Sequence, residues 1–322
     1  MRILVIRRDN IGDLVCTTPL LAALRRRYPS AHLAALVNSY NAGVLAGNPD
    51  IDAVHVYTKL KHREHSLLAT LAARLRLLST LRRQEFDHVI LAKSGFDRHG
   101  RALARRLRPK NIVGFAPGET IGEDLHEVEI VMKLGAALDV NGPPGPLRVY
   151  PEGTRVEHWK SRLPAGERSW VAVHISARVP GRIWPVENFV SLIQRLESGV
   201  ILLWSPGSAD DPRHPGDDAR AAQIATACGP GVKLVPAKTE SLEDLTAVLS
   251  LCRGFIGPDG GAMHLAAGLG LPVVAFFENL AAKKRHWHPW QVPYELVCPE
   301  GEDIAQVRVD EVLRAWRRLQ AQ

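Results

Sequence analysis

The sequence contains few cysteines and no long hydrophobic run. The four cysteines form no C-x-x-C pair, and they lie far apart at Cys16, Cys228, Cys252 and Cys298. This spacing argues against a zinc site or a disulfide framework and favours buried thiols in a reduced, cytoplasmic protein. No apolar stretch approaches the roughly 18 residues that a membrane span requires. The first strand is also too short for a signal peptide, because Arg7 and Arg8 interrupt it.

A dinucleotide fingerprint and stacking aromatic residues are absent too. The segment after the first strand, Arg7-Arg-Asp-Asn-Ile-Gly-Asp13, contains only one glycine and not the G-x-G-x-x-G pattern of NAD and FAD sites. This weighs against a dinucleotide-dependent oxidoreductase. Aromatic residues make up 6% of the chain. Few of them lie near the basic clusters, which argues against binding of single-stranded nucleic acid.

Positive charge is unevenly distributed along the chain, which carries a net charge of +7. Residues 1–150 contain 22 Lys and Arg against 14 Asp and Glu, whereas the remainder contains 19 against 20. A basic first half suggests an anionic partner, such as nucleic acid, an anionic membrane surface or a lipid-linked sugar. The alternative is a solvated basic face that binds nothing.

Short apolar runs alternate with helical patterns throughout the chain. The pattern predicts strands over residues 3–6, 33–37, 53–57, 89–92 and 112–115, and then over 170–174, 200–204, 233–235, 254–256 and 273–277. Helices are predicted from the first strand to about Tyr28, then over 67–83, 101–107, 186–198, 217–228, 241–252, 263–269 and 309–319. Apolar runs of four or five residues separated by helices indicate parallel sheets that are covered on both faces.

The segment Asn141-Gly-Pro-Pro-Gly-Pro146 is the densest group of turn-forming residues and predicts a domain boundary. We expect an N-terminal domain over 1–145, a second domain over 146–304 and a terminal helix over 305–322 that packs back on the first domain. Both domains are predicted to be α/β, Rossmann-like and doubly wound, and to face a central cleft. Ligands of open parallel sheets bind beyond the carboxyl ends of the strands, so the loops after strands should carry the function.

The most informative of these loops is Gly257-Pro-Asp-Gly-Gly-Ala-Met-His264, between an apolar run and a helical pattern. Gly260 and Gly261 allow unusual backbone dihedrals and a close approach of the backbone to a ligand. The helix that follows would present free N–H groups to an anion, flanked by Asp259 and His264. These features suggest a site for a nucleotide diphosphate attached to a group with hydroxyls. The alternative is an ordinary turn in which Asp259 only caps the helix.

Two further loops supply complementary chemistry. In the loop that starts at His174, Ser176 offers a hydroxyl, and Arg178 and Arg182 offer guanidinium groups suited to phosphate. In the loop after the first strand, Asp13 is a candidate general base, because transfer to an alcohol needs a carboxylate within reach of the hydroxyl. The alternatives are that the arginines point to water and that Asp13 or Asp9 is the N-cap of the following helix.

Taken in order, these segments resemble glycosyltransferase family 9, the ADP-heptose:lipopolysaccharide heptosyltransferases. The resemblance is carried by Arg2-Ile-Leu-Val-Ile-Arg with Ile11-Gly-Asp13 and Thr18-Pro-Leu-Leu, by Arg182-x-Trp-Pro185, and by Asp259-Gly-Gly-x-Met-His264-Leu-Ala-Ala. It implies a GT-B fold and an inverting transfer that needs no metal and no cofactor. It also implies that the first domain binds the acceptor and the second binds the nucleotide sugar.

The resemblance assigns roles to the predicted site residues. Asp13 matches the proposed catalytic base, and Asp259 matches the acid that contacts hydroxyls of the donor sugar. Gly260, Gly261 and His264 match the diphosphate-binding turn. Arg182 stands where the family commonly has a lysine that meets the donor phosphates. The sequence departs from the family after Phe277, where Glu278-Asn-Leu-Ala-Ala-Lys-Lys-Arg285 replaces a Gly-Pro-Thr-like turn.

The resemblance also implies the partners. We expect heptose from ADP-heptose as the donor sugar and an anionic glycolipid, such as the lipopolysaccharide inner core, as the acceptor, with no nucleic acid. Candidate acceptor contacts are Lys61, Arg63, Arg98 and Arg101. We expect a cytoplasmic protein with peripheral contact at the cytoplasmic face of the inner membrane. The alternatives are a transferase of the same family with another nucleotide sugar or acceptor, and a non-catalytic nucleotide-sugar-binding protein.

Overall fold

A computed structural model describes residues 1–57, 67–119, 121–122, 124–164, 170–211 and 215–321. The chain divides into two compact units, Met1–Leu147 and Arg148–Gln322. Each unit contains one sheet in which all strand pairs are parallel. The predicted α/β class with two parallel sheets is therefore confirmed. Within the described ranges, no helix is both long enough and apolar enough to cross a bilayer.

The first unit is built on a five-stranded sheet of order β3-β2-β1-β4-β5. Its strands are β1 Arg2–Ile6, β2 His32–Asn38, β3 Ala53–Tyr57, β4 His88–Leu91 and β5 Asn111–Val113. Its helices are α1 Ile11–Val15, α2 Thr18–Arg27, α3 Leu67–Arg83, α4 Arg98–Leu107 and α5 Glu127–Lys133. The strand order reverses between β1 and β4, so the loops after these two strands flank the topological switch point where such sheets bind ligands.

The predicted first helix is in fact two helices, α1 and α2. Thr17 caps the second helix, and Pro19 lies in its first turn. Because proline has no backbone N–H, a continuous helix would lose a hydrogen bond at this position. The break leaves α1 as a short turn of helix that directly follows the β1 loop and holds Asp13.

The second unit is built on a six-stranded sheet of order β11-β10-β9-β6-β7-β8. Its strands are β6 Trp170–His174, β7 Gly199–Leu203, β8 Leu234–Ala237, β9 Cys252–Pro258, β10 Val273–Phe276 and β11 Tyr294–Val297. Its helices are α6 Gly153–Lys160, α7 Val186–Arg195, α8 Asp218–Cys228, α9 Leu242–Ser250, α10 Gly261–Gly268, α11 Ala281–Trp287 and α12 Val309–Gln320. The order reverses between β6 and β9, which places the loops after these strands at the switch point.

An aromatic cluster fixes the loop that follows β6. Trp184 is buried, and its ring centroid lies 4.7 Å from that of Phe276 and 4.8 Å from that of Phe189. Its indole N–H donates to the carbonyl of Val307 at 2.8 Å. The loop that holds Arg182 is thus anchored at its end by a large side chain that is both packed and hydrogen-bonded.

The terminal helix α12 packs within the second unit. Its apolar face, formed by Val312, Leu313, Trp316 and Leu319, belongs to the core of that unit, and the helix lies against β11 and α7. The predicted amphipathic stripe is present and lies in the core of the second unit; packing of this helix on the first domain stays a prediction. The edge strand β11 that it covers contains only four residues and was not predicted, so the sequence showed no partner for this face in the second domain.

Gly254 in β9 permits the close contact between the sheet and α12. A Cβ built on Gly254 would lie 2.5 Å from Cη2 of Trp316. We predict that Gly254→Ala lowers the free energy of unfolding by about 1–3 kcal/mol, because the buried indole must shift. Denaturant unfolding would measure the change. Gly231→Ala is the matched control, since a Cβ there meets nothing within 4 Å, and an equal loss in both variants would contradict the prediction.

Candidate functional site

Asp13 lies in α1, directly beyond the loop that follows β1. Its Oδ2 accepts a hydrogen bond from the backbone N–H of Asn10 at 3.0 Å, which forms part of a capping box. Its Oδ1 is 2.5 Å from Nη2 of Arg7. The side chain is 14% exposed, so it is held on both oxygens and still reaches the surface. The N-cap of α1 is Asn10, so neither Asp9 nor Asp13 is the N-cap residue. Asp13 closes the capping box from the third helical position and so has the fixed orientation of a candidate base.

Arg7 is the buried centre of this site. The residue is 1% exposed, and its guanidinium pairs with Asp13, with Glu127 at 2.8 Å and with Asp9 at 3.4 Å. It also donates to the carbonyl of Ala92, the residue after β4. Burial alone would lower the pKa of Arg7, but Glu127, Asp13 and Asp9 together raise that pKa, so the guanidinium stays charged.

Arg7 and Glu127 are site residues that sequence reasoning missed. Glu127 is fully buried at the start of α5, behind the helix cap His126, whose Nδ1 accepts from the N–H of Val128 at 3.1 Å. A charged residue at the end of the apolar strand β1 is a signal that could have drawn attention to Arg7. Its partner Glu127, 120 residues further along the chain, carries no comparable signal.

Asp9 is a further carboxylate beside Arg7. Burial raises the pKa of Asp9, and the neighbouring carboxylates of Asp13 and Asp97 raise it further, although Arg7 and Lys93 oppose them. One cation, Arg7, thus pairs with the three carboxylates of Asp9, Asp13 and Glu127.

The structure describes two of the four residues that were predicted to contact the acceptor substrate. Lys61 and Arg63 lie outside the described residues. Arg98 is exposed at the start of α4. Arg101 is partly buried, donates from Nη2 to the carbonyl of Gly114 at 3.2 Å, and has its guanidinium 5.7 Å from the ring centroid of Phe96. Arg101 therefore has a structural role in its own unit, whatever it binds.

In the second unit, the loop after β6 carries the three predicted polar residues. The hydroxyl of Ser176 accepts from the N–H of Ser205 at 2.7 Å and so ties this loop to the loop after β7. Arg178 is exposed. Arg182 lies in a short 3-10 turn, and its Nε donates to Glu278 at 3.0 Å. The three residues share one loop, and Ser176 and Arg182 have different partners.

The turn after β9 opens α10 as predicted, but without unusual dihedrals. Gly260 caps the helix in an extended conformation, with φ 167° and ψ −173°, which any residue can adopt. A Cβ added to Gly260 would meet nothing within 4 Å. The expected conformational role of this glycine is therefore wrong. The space beside Gly260, at the start of α10, is open.

His264 faces inward, not toward solvent. It is 2% exposed on α10, and its ring lies 5.8 Å from that of Trp287, with the planes tilted by 72°. Trp287 is at the end of α11 and was not predicted to belong to the site. His264 thus helps to pack α11 against α10, the helix that starts at the turn after β9.

Four charged side chains meet at the carboxyl ends of β6, β9 and β10, and we call them the four-charge cluster: Arg182, Asp259, Glu278 and Lys283. Lys283 lies 2.8 Å from Oδ2 of Asp259 and also pairs with Glu278. Arg182 pairs with Glu278 at 3.0 Å and lies 4.0 Å from Asp259. Sequence reasoning identified Arg182 and Asp259, because they follow strands in recognisable motifs, and missed Glu278.

Glu278 remains ionised in this cluster. Burial favours its neutral form, but hydrogen bonds from Lys283 and Arg182 lower its pKa below the usual range. The cluster therefore contains two cations and two anions. Parallel strands explain why the four charged side chains converge, because the carboxyl ends of such strands meet at the same edge of the sheet.

Across the described part of the chain, no group of three or more His, Cys, Asp or Glu side chains could hold a metal ion.

Comparison with known families and curated proteins gives consistent matches. A model of the family described as glycosyltransferase family 9 (heptosyltransferase) matches residues 124–315, more than half of the chain. A lipopolysaccharide heptosyltransferase 3 from Escherichia coli K12 is 26% identical over 298 residues, which cover 87% of this chain and 82% of that protein. A second protein of that name from Escherichia coli is 23% identical over 301 residues, covering 87% of this chain and 83% of that protein.

Solved structures share the fold over the whole chain. A family 9 glycosyltransferase from Veillonella parvula superposes with a TM-score of 0.84 at 18% identity, covering 99% of this chain and 97% of that chain. ADP-heptose lipopolysaccharide heptosyltransferase II from E. coli gives a TM-score of 0.79 at 18% identity, covering 100% and 99%. An E. coli heptosyltransferase with ADP gives 0.77 at 17% identity, covering 99% and 100%.

Removal of the buried cation should destabilise the first unit. We predict that Arg7→Met lowers the free energy of unfolding by about 3–5 kcal/mol, because it breaks the buried ion pair with Glu127. The double variant Arg7→Met/Glu127→Leu should recover part of this loss in denaturant unfolding. Lys110→Met is the control, since it breaks an ion pair with Asp87 in which the lysine is 78% exposed, and it should change stability little. A loss in the double variant as large as in Arg7→Met would contradict the prediction.

Proposed function

Since this chain belongs to glycosyltransferase family 9, we propose that it transfers heptose from ADP-heptose to a hydroxyl group of an anionic glycolipid acceptor. The lipopolysaccharide inner core is the acceptor that we favour. The names of the E. coli relatives support this choice of sugar and acceptor. The single observation that carries the proposal is the four-charge cluster beside the open N-terminus of α10, because it combines donors for a diphosphate with an acceptor for sugar hydroxyls.

The donor binds at the carboxyl edge of the second sheet in this proposal. The N–H groups at the start of α10 and the positive end of that helix attract the diphosphate. Arg182 donates a hydrogen bond from Nε to Glu278 and faces Asp259 with Nη1 at 4.0 Å. Among the described residues, no group accepts a hydrogen bond from its Nη atoms. These atoms can form the paired hydrogen bonds that guanidinium makes with phosphate. Asp259 is left to accept hydrogen bonds from hydroxyls of the sugar.

Asp13 acts as the general base. It takes the proton of the acceptor hydroxyl while that oxygen attacks the anomeric carbon, and the bond from that carbon to the diphosphate breaks in the same step. A single displacement inverts the anomeric configuration. Hydrogen bonds from Asn10 and Arg7 fix the orientation of the Asp13 carboxylate. Glu127 pairs with the same guanidinium at 2.8 Å and so helps to hold Arg7 in place beside Asp13.

The leaving diphosphate is stabilised by protein cations and not by a metal ion in this proposal. Arg182, Lys283 and the backbone N–H groups of α10 would meet the negative charge that develops on the leaving oxygen. Each such donor contributes on the order of 2–4 kcal/mol to stabilisation of the transition state, by analogy with donors of oxyanion holes. The predicted phosphate ligand Ser176 holds the loop through Ser205, and Arg178 on the same loop is a further candidate contact.

We propose that the basic first unit binds the acceptor. Arg98 and Arg101, together with Lys61 and Arg63 outside the described residues, are the candidate contacts for its phosphates and carboxylates. A lipid-linked acceptor implies that the enzyme works in the cytoplasm at the surface of the inner membrane, through peripheral contact.

A second candidate function is transfer of another sugar by the same chemistry. Glu278 supports this second candidate, because this acid lies in the four-charge cluster at a position where many members of the family have a Gly-Pro-Thr-like turn.

The role of Asp13 is tested by Asp13→Asn. We predict that this variant loses transfer activity by at least about 10²–10⁴-fold, the contribution of a general base, while the Kd for ADP changes less than about threefold. Transfer to the lipid acceptor and calorimetric titration with ADP would measure the two effects. Asp50→Asn is the control for loss of one carboxylate in the same unit. Loss of ADP binding in Asp13→Asn would remove Asp13 from the role of base.

The nucleotide and the metal requirement are tested together by thermal unfolding with ADP, UDP, GDP, CDP or NAD, each with and without EDTA. A ligand at about 100 times its Kd stabilises a fold by about 2.7 kcal/mol. We predict stabilisation by ADP that EDTA does not reduce. Stabilisation by UDP or GDP alone would overturn ADP-heptose as the donor, and loss of the ADP effect in EDTA would overturn metal independence.

A further inference from the structure

Glu278 is the member of the four-charge cluster for which the proposed reaction has no use. Asp259 has hydroxyls to bind, and the two cations have phosphate to bind, but a second carboxylate adds negative charge where a diphosphate is expected. Glu278 is 15% exposed and contacts both cations. It follows β10 and Phe277 and lies three residues before α11, the helix that contains Lys283. The proposed reaction therefore does not explain why a second carboxylate lies at this position.

The charges of the cluster balance without a ligand. Arg182 and Lys283 carry two positive charges, and Asp259 and Glu278 carry two negative charges. Asp259 alone would satisfy Lys283 through their contact of 2.8 Å. Glu278 contacts both cations, because it also accepts a hydrogen bond from Nε of Arg182. An incoming diphosphate must compete with this carboxylate for both cations and also meets its charge.

We propose that Glu278 is an internal anion that competes with the donor diphosphate for Arg182 and Lys283 and thereby weakens the binding of nucleoside diphosphates. This inference rests on the proposed function, since it assumes that a diphosphate binds at the cluster. The competition acts on the nucleotide product as well as on the donor, so Glu278 favours release of the product. The residue thus sets how tightly the site holds diphosphates and does not itself take part in bond making.

A purely positioning role would have the opposite consequence. If Glu278 served only to orient Arg182 and Lys283 toward phosphate, its loss would leave both side chains free to move, and binding would weaken. Glu278→Gln separates the two roles, because glutamine keeps the shape and a neutral oxygen acceptor for Arg182 but removes the charge. The direction of the change in Kd therefore decides between them.

The experiment is calorimetric titration of the wild type and of Glu278→Gln with ADP, UDP and GDP, and with AMP, which lacks the second phosphate. We expect Glu278→Gln to bind the preferred diphosphate at least about fivefold more tightly, the effect of one unit charge about 4 Å away even when bulk water screens it. AMP should change less than the diphosphate. The gain should shrink at high ionic strength, because salt screens the lost repulsion, whereas a change of packing alone would not respond in this way.

Two further variants complete the test. Glu278→Asp keeps the charge and should bind the diphosphate as weakly as the wild type. Glu295→Gln removes one negative charge from the same unit by breaking the pair between Glu295 and Arg318, and it should leave the Kd unchanged. Thermal unfolding would confirm that each variant is folded. Unchanged or weaker binding by folded Glu278→Gln overturns the inference and leaves the proposed function intact. Failure of the wild type to bind any of the diphosphates overturns both.

Discussion

The guanidinium of Arg7 lies almost completely buried at the end of β1, and a charge removed from water must be paired. Its partners come from the β1 loop, from α1 and from α5, so one cation joins three segments of the first unit. The same pairing orients Asp13, the candidate base. Stability of the unit and geometry of the base therefore depend on one interaction, and a change at Arg7 cannot affect one of them alone.

The second unit also contains paired charges, but these lie near its surface. The four-charge cluster is only partly buried, with Arg182 30% exposed and the other three side chains between 11% and 15% exposed. Its ion pairs can therefore exchange with a ligand, whereas those of Arg7 cannot without exposing a buried charge. This contrast suits a fixed base in one unit and a site that accepts and releases an anion in the other.

Hydrophobic periodicity was sufficient to predict most of the sheet strands, because buried parallel strands are short, apolar and bounded by turn residues. The strand β3 has the predicted limits, 53–57, and so does β6, 170–174. The strand β11 and the helices α5, α6 and α11 were missed. These elements are short, and several are polar on exposed faces, so their formation depends on packing against a sheet that local sequence does not reveal.

The sequence by itself determined the two parallel sheets, the loops that carry Asp13, Arg182 and Asp259, and the family, because each follows from local pattern or motif. Only the tertiary structure decided which charges meet. Arg7 and Glu127 pair across 120 residues of chain, and Glu278 reaches Arg182 across 96. Such pairs form because parallel strands deliver distant loops to one edge of a sheet and because burial makes an unpaired charge costly. Neither condition is visible in a local stretch of sequence.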